Sequence, residues 1–140
     1  MSSESRHPSD LAAGMYADDA ASQMLGITVD VGEPGRATAT MTVRDDMVNG
    51  LGVCHGGLLF SLADTAMAFL SNTEVAEGHA AFAAHAEIDW LRPAVAGQSV
   101  VATARSIARP GRTTVHDVEL HADGELIAVF RGRTRTVSRG

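Results

Sequence analysis

A histidine, two glycines and a carboxylate are the residues of this chain whose types and spacing suggest chemistry. His55, Gly56 and Gly57 open an apolar helical segment, and Asp64 follows about two turns later. A helix N-terminus has unpaired backbone N–H groups and a partial positive charge, so it can stabilise a developing oxyanion. A carboxylate within reach of that oxyanion can activate water or attack directly. Together these residue types indicate acyl-transfer chemistry.

The surrounding pattern predicts the elements that must position these residues. Apolar residues at helical spacing predict a helix over 56–72, with Asp64 on a narrower polar stripe. A glycine-bearing loop that contains Asn49 leads into this helix and spans 44–55. Earlier in the chain, the pattern predicts a short helix and the two strands of a hairpin, at 10–25, 27–31 and 36–43.

Four more strands are predicted after the long helix. They lie at 82–90, 99–109, 112–121 and 125–137. Strands joined by tight turns pair in antiparallel fashion, so we expect a meander. A helix this apolar needs nearly complete coverage, which a curved antiparallel sheet wrapped around it would provide. The sheet edges and outer face would remain open, so a homo-oligomer is expected.

Composition limits the classes of protein to which this chain can belong. Its 140 residues suffice for one domain, expected at 10–140 after a disordered leader at 1–9. A net charge of −6 disfavours nucleic acid as a partner. No apolar run is long enough to span a membrane, and the N-terminus lacks the apolar segment of a signal peptide. We therefore expect a cytoplasmic protein.

Other reactive residues have less specific surroundings. Cys54 beside His55 suggests a Cys–His nucleophile, but sequence neighbours usually point apart. Side chains on two strands could hold a metal, and they are His85, Glu87, Asp89, His116 and His121. No two histidines have the i, i+4 helical spacing that makes zinc motifs specific. We expect neither a metal nor an organic cofactor to be required.

Three motifs resemble those of the hotdog-fold acyl-CoA thioesterases, in particular the PaaI type of phenylacetic acid degradation. The first runs from Asn49 through His55-Gly-Gly to Asp64-Thr-Ala, the second is Ile88-Asp-Trp-Leu-Arg-Pro, and the third is Phe130-Arg-Gly. The likeness covers nearly the whole chain. It implies an α+β hotdog fold, an acyl-CoA substrate and hydrolysis of its thioester.

The resemblance also implies catalytic roles for individual residues. In such enzymes the first glycine after the histidine, here Gly56, donates its N–H to the thioester carbonyl. The helix carboxylate, here Asp64, is the base or the nucleophile. The loop amide, here Asn49, helps to place water or substrate, and His55 steadies the loop. Some hotdog relatives have a hydroxyl residue one turn after the acid, and others have a serine on the strand after the helix; this chain has neither. The choice between a general base and direct attack therefore stays open.

Three further residues are candidates for substrate binding. Gly57 lies beside the expected oxyanion donor, and Arg109 and Arg112 flank a predicted hairpin turn. Arginines there could hold CoA phosphates through charge-assisted hydrogen bonds.

The spacing of Gly56 and Asp64 implies a site shared between subunits. Eight residues along one helix correspond to about 12 Å. A carbonyl bound at the Gly56 N–H would lie beyond the reach of Asp64 in the same subunit. The acid must then come from a second copy across a two-fold axis. A dimer is the smallest enzyme expected, and a tetramer is the expected assembly.

These observations predict an acyl-CoA thioesterase for (hydroxy)phenylacetyl-CoA or a similar aryl or medium-chain thioester. It would release free CoA and a carboxylic acid. Two alternatives stay open from the sequence: a non-catalytic acyl-CoA-binding module on the same fold, and a hotdog dehydratase. Such a dehydratase usually pairs an aspartate with a histidine a few residues on, and this chain lacks that histidine.

Overall fold

The computed structural model describes residues 7–139, which form one sheet with helices on it. In chain order the elements are α1 (Pro8–Ala17), α2 (Ala20–Met24), β1 (Thr28–Asp30), β2 (Arg36–Thr42), a 3₁₀ helix (Asp45–Met47), α3 (Gly56–Glu74), β3 (His79–Trp90), β4 (Ser99–Ala108), β5 (Thr113–Ala122) and β6 (Glu125–Ser138). No helix in this described part is both long enough and apolar enough to cross a membrane.

The N-terminal segment forms two short helices, whereas the pattern predicted a single helix over 10–25. α1 begins at Pro8, inside the segment expected to be a leader, because proline suits the first helical position and the His7 ring accepts a backbone N–H there. Asp19 starts α2 in the same way, since its side chain accepts a backbone N–H of that helix. Residues 1–6 of the expected leader lie outside the described part.

The six-stranded sheet is antiparallel throughout, in the order β1-β2-β4-β5-β6-β3. The β1–β2 hairpin and the succession β4-β5-β6 confirm the predicted local pairing. A meander that begins at β3 was wrong, because β3 pairs with β6 at the opposite edge. The segment between Trp90 and Ser99 is too long for a tight turn and crosses to the other side of the sheet. β3 is therefore an edge strand.

α3 packs on the inner face of this sheet and forms the centre of the core. Leu62, Ala66 and Met67 are completely buried on the helix. Burial of an aliphatic side chain of this size stabilises a fold by about 1.5–3 kcal/mol. The strands facing the helix carry small residues, and those fully or almost fully buried include Ala37, Ala39, Ala102 and Ala104. A long apolar helix wrapped by a curved antiparallel sheet is the arrangement expected of the hotdog fold, and this prediction is confirmed.

Gly132 in the third sequence motif has a packing role on β6. A Cβ added at this position would collide with the sulfur of Met67 on α3 and come within 2.9 Å of the Phe130 ring. The glycine therefore allows the helix to lie close to the strand.

Candidate active site at the start of α3

Backbone hydrogen bonds hold the start of α3 from two sides. His55 N–H donates to the carbonyl of Met47 at 2.8 Å, and Cys54 N–H donates to the carbonyl of Ala94 at 2.7 Å. The first bond anchors the residue before the helix to the 3₁₀ helix. The second anchors it to the segment that follows β3. The position of the helix N-terminus is thus set by two parts of the chain that are distant in sequence.

Asn49 stabilises the loop that leads into the helix. Its side-chain oxygen accepts the N–H groups of Leu51 at 2.9 Å and Val53 at 3.4 Å, and its own N–H donates to the carbonyl of Val53 at 2.7 Å. An asparagine that bonds backbone groups two to four residues ahead closes a tight loop. The half-buried Asn49 therefore shapes the loop from within.

The first N–H of α3 is left without an acceptor. His55 is the N-cap, and its ring Nδ1 accepts the N–H of Gly57 at 3.2 Å. The N–H of Leu58 donates to the His55 carbonyl at 2.9 Å. Among residues 7–139, no acceptor bonds the N–H of Gly56. The His55 ring thus engages the N–H of Gly57 and leaves that of Gly56 available to an external oxygen.

Trp90 contacts this helix start, a contact that the sequence did not reveal. Its indole Nε1 donates to the carbonyl of Gly56 at 3.1 Å. A Cβ at Gly56 would lie 3.0 Å from two atoms of the indole, which is closer than side chains normally pack. A side chain at position 56 would therefore crowd the Trp90 ring. The only sequence signal was that Trp90 belongs to the second motif.

Asp64 lies half-buried in the middle of α3. Burial raises the pKa of its carboxyl above the ordinary value, because a charged form loses solvation there. Its carboxylate has no hydrogen-bond or ion-pair partner within the described range 7–139. It stands about 12 Å along the helix from Gly56. One protomer therefore does not bring the two groups together.

Arg109 and Arg112 lie at the opposite end of α3. Arg109 Nη2 donates to Glu74 Oε1 at 2.7 Å, in the last turn of the helix. Both arginines line a cavity of about 300 Å³, together with Ser71, Glu74, Ala81 and Thr134. Since α3 has 19 residues, this end is roughly 27 Å from Gly56 in the same protomer.

A buried network of hydroxyl groups and a histidine lies beneath that cavity, and sequence reasoning missed it. Ser71 Oγ is 2.8 Å from His116 Nε2 and 2.9 Å from Thr134 Oγ1, while Ser106 Oγ is 3.3 Å from His116 Nδ1. Burial, helped by the positive charge of Arg109, lowers the pKa of His116 to about 4. His116 is therefore neutral near pH 7.

The other reactive residues do not form a second centre in the described part. Cys54 is buried, burial raises the pKa of its thiol, and its sulfur contacts its neighbour's backbone oxygen, not the imidazole ring. A thiolate nucleophile is therefore disfavoured. Over residues 7–139, no group of three histidine, cysteine or acidic side chains comes together as metal ligands would. Three of the proposed ligands are instead exposed on β3, namely His85, Glu87 and Asp89.

Comparisons with known proteins identify the family of this chain. The family model of the thioesterase superfamily matches residues 51–129. Acyl-coenzyme A thioesterase PaaI of Escherichia coli strain K12 is 42% identical over 127 residues, which cover 90% of this chain and 89% of that protein. Human acyl-coenzyme A thioesterase 13 is 33% identical, over 78% of this chain and 79% of that protein.

The solved structure of the E. coli PaaI protein from the phenylacetic acid degradation operon has the same fold. It superposes with a TM-score of 0.88 and 40% sequence identity, and the match covers 96% of each chain. The resemblance seen in the sequence motifs is thereby confirmed. This chain belongs to the thioesterase superfamily.

Proposed function

We propose that this chain is an acyl-CoA thioesterase that hydrolyses (hydroxy)phenylacetyl-CoA or a similar aryl or medium-chain acyl-CoA at sites shared between two subunits. The observation that carries the proposal is a pair of groups on one helix that have no partner among residues 7–139. They are the N–H of Gly56 and the half-buried carboxylate of Asp64. One is a donor for an oxyanion and the other is a base or nucleophile.

In the proposed reaction, the thioester carbonyl accepts a hydrogen bond from Gly56 at the positive end of α3. Asp64 of the partner subunit lies on the other side of the carbonyl carbon. It either takes a proton from the attacking water or attacks the carbon itself. The carbonyl oxygen gains negative charge in both cases, so the Gly56 N–H and the helix dipole stabilise the transition state more than the substrate. When Asp64 acts as the base, the C–S bond breaks and the proton that Asp64 took from water passes to the departing CoA thiolate. When Asp64 attacks directly, the C–S bond breaks to leave a mixed anhydride of the acyl group with Asp64, water hydrolyses that anhydride to the free acid, and the CoA thiolate takes up a proton from the solvent.

Asn49 and His55 support this chemistry as loop residues. The oxygen of Asn49 is used within the loop, so the amide NH₂ group is the part that could contact water or substrate. The His55 ring caps the helix, which leaves the Gly56 N–H as the free donor.

The proposed CoA contacts follow from the shared arrangement. Glu74, which accepts a hydrogen bond from Arg109, is ten residues beyond Asp64 along α3, which is about 15 Å. The subunit that lends the acid could therefore also lend Arg109 and Arg112, at a distance that the extended pantetheine arm can span. Their guanidinium groups suit CoA phosphates. The proposed assembly is a homotetramer built from such dimers, in the cytoplasm.

The preference for an aryl group rests on two supports. The E. coli relative whose structure matches belongs to the phenylacetic acid degradation operon. In this chain, the aromatic Trp90 lies against Gly56 and remains 53% exposed.

An Asp64→Asn variant tests the proposed acid. It should fold normally and lose at least about a thousandfold in kcat on phenylacetyl-CoA, because the amide is neither a base nor a useful nucleophile. Thiol release from the substrate is the measurement. Asp18→Asn, at an exposed position, is the matched control and should keep full activity. Near-normal turnover by Asp64→Asn would remove this residue from the mechanism, and intact thioester with bound CoA would favour a binding module.

Mixed oligomers test whether the site is shared. Asp64→Ala protein and Gly56→Pro protein should each be inactive, yet dimers containing one chain of each type would carry one complete site. Activity should therefore return when the two are unfolded and refolded together. Differently tagged chains verify the mixing. No recovery in a preparation with proven mixed dimers would contradict the shared site.

A further inference from the structure

We infer that Trp90 is a positioning and specificity-determining residue of the thioesterase site. In this view the indole holds Gly56 in place and offers its exposed ring to an aryl acyl group. The inference rests on the proposed function, because it concerns the residue whose N–H would bind the thioester carbonyl.

The positioning role follows from two contacts with one residue. The Nε1–H group of Trp90 donates to the carbonyl of Gly56 at 3.1 Å, and two atoms of the ring lie 3.0 Å from the position that a Cβ would take. A glycine is the least restricted residue in backbone conformation, so it needs external contacts to be held in one geometry. Trp90 supplies both a directional bond and a flat surface at this point.

The same segment of chain also supports the loop before the helix. Trp90 ends β3, and a few residues later the carbonyl of Ala94 accepts the N–H of Cys54 at 2.7 Å. Between them, the N–H groups of Leu91 and Arg92 both donate to the carbonyl of Ile127, at 2.8 and 3.1 Å. This segment is therefore tied to β6, and it holds the helix start at residues 54 and 56.

The specificity role follows from the exposed part of the indole. Trp90 remains 53% exposed although it lies against Gly56, so part of its ring faces solvent within one residue of the free N–H. An acyl group whose carbonyl is bound at that N–H must lie close to this ring. Packing between two aromatic rings adds about 0.5–1.5 kcal/mol beyond buried area, equivalent to a preference of roughly two- to tenfold. Aryl acyl groups should benefit, and saturated chains should not.

Two substitutions separate the two roles. Trp90→Phe removes the indole N–H and keeps an aromatic ring, so kcat should fall roughly five- to tenfold on both phenylacetyl-CoA and hexanoyl-CoA with their ratio unchanged. Trp90→Leu removes the aromatic ring as well, so the phenylacetyl-to-hexanoyl ratio of kcat/KM should fall about two- to tenfold below that of the wild-type enzyme. Leu91→Ala, at a neighbouring exposed position, is the control and should leave the ratio unchanged. Thermal unfolding of each variant verifies that it is folded.

Tryptophan fluorescence provides a readout that does not depend on turnover. Trp90 is the only tryptophan of the chain, so all tryptophan emission comes from this position. Phenylacetyl-CoA added to the Asp64→Asn protein should change the emission in a saturable manner, and hexanoyl-CoA should change it less. A saturable change without any hydrolysis by the wild-type enzyme would support the contact while contradicting the proposed function. Normal hydrolysis with no emission change, or an unchanged substrate ratio in Trp90→Leu, would overturn the inference.

Discussion

The two ends of α3 differ in whether their polar groups have hydrogen-bond partners within the protomer. At the N-terminal end, the Gly56 N–H has no acceptor in the described part of the chain, and the histidine beside it is exposed. Towards the C-terminal end, Ser71 and Thr134 are buried and bonded to each other and to His116, a histidine that is completely buried. The polar groups near the C-terminal end of the helix are thus hydrogen-bonded within the protomer, whereas the Gly56 N–H at the N-terminal end is not.

This difference shows where the chain can exchange hydrogen bonds with a ligand. A buried polar group costs free energy unless it is paired, and the network around Ser71 meets that requirement within the protomer. Its groups therefore contribute to stability. The Gly56 N–H and the Asp64 carboxylate have no such partner among residues 7–139. We expect substitutions at the N-terminal end to change the rate, and substitutions in the network to change the free energy of unfolding.

The sharpest way to break the comparison is to remove the free N–H of Gly56. Gly56 is the first residue of α3, a position where proline is well tolerated because the N–H makes no helical bond there. Gly56→Pro should lower kcat by about 10²–10³, the usual effect of losing an oxyanion-hole donor. The stability of the folded protein should change much less than the rate. Thiol release and thermal unfolding, measured on the same preparation, give the two numbers.

Gly56→Ala is the matched control for this experiment. Both substitutions place a Cβ against the Trp90 ring, but alanine keeps the N–H. The ratio of the two rates therefore isolates the hydrogen bond from the displaced ring. Equal rates for the two variants would show that the contact with Trp90, and not the N–H, sets the activity.

Acidification should act on the buried histidine through stability. The folded protein holds the pKa of His116 at about 4, below its ordinary value of 6.5, so the unfolded chain binds the proton first as the pH falls. The stability from the neutral, bonded ring is complete above about pH 6.5 and is lost as the pH falls towards 4. The loss is at most about 1.4 kcal/mol per pH unit.

Comparison with His116→Leu isolates this effect from the titration of the carboxylates. The variant should be less stable near pH 7, because Ser71 and Thr134 lose a partner, and its unfolding free energy should depend less steeply on pH between 4 and 6.5. Denaturant unfolding at a series of pH values measures both slopes. Parallel slopes for the two proteins would mean that His116 does not titrate in this window.

The sequence predicted the N-terminal end of α3 better than the C-terminal end, for a physical reason. His55, Gly56 and Gly57 are contiguous, and a helix start is a local event that depends on a cap and a change in hydrophobic period. The long helix and most strand positions are local in the same sense. The separation of the two proposed catalytic groups could also be predicted, because helix rise alone places Gly56 and Asp64 about 12 Å apart.

Features that depend on contacts between residues far apart in the sequence could not be predicted from the sequence. The placement of β3 beside β6 is set by the path of the segment after Trp90, and no local pattern encodes that path. The network of Ser71, His116 and Thr134 joins residues 45 and 63 positions apart along the chain, so each looked like an isolated polar residue. The contact of Trp90 with Gly56 joins residues 34 positions apart and was missed for the same reason.

The smallest expected effect is the loss of stability caused by a substitution at Ser71, near the C-terminal end of α3. Ser71→Ala removes the hydroxyl that links His116 to Thr134, but the ring nitrogen remains 3.1 Å from Thr134 Oγ1. One hydrogen bond of the network therefore remains, and the free energy of unfolding should fall by about 1–2 kcal/mol. Ser61→Ala, on the same helix, removes a half-exposed hydroxyl that bonds only the carbonyl of Gly57, and should change it by less than about 0.5 kcal/mol. Denaturant midpoints at one protein concentration compare the two, since the proposed subunit association would contribute to apparent stability. Equal losses of unfolding free energy in the two variants would mean that the buried hydrogen bonds of Ser71 stabilise the fold no more than the half-exposed hydrogen bond of Ser61.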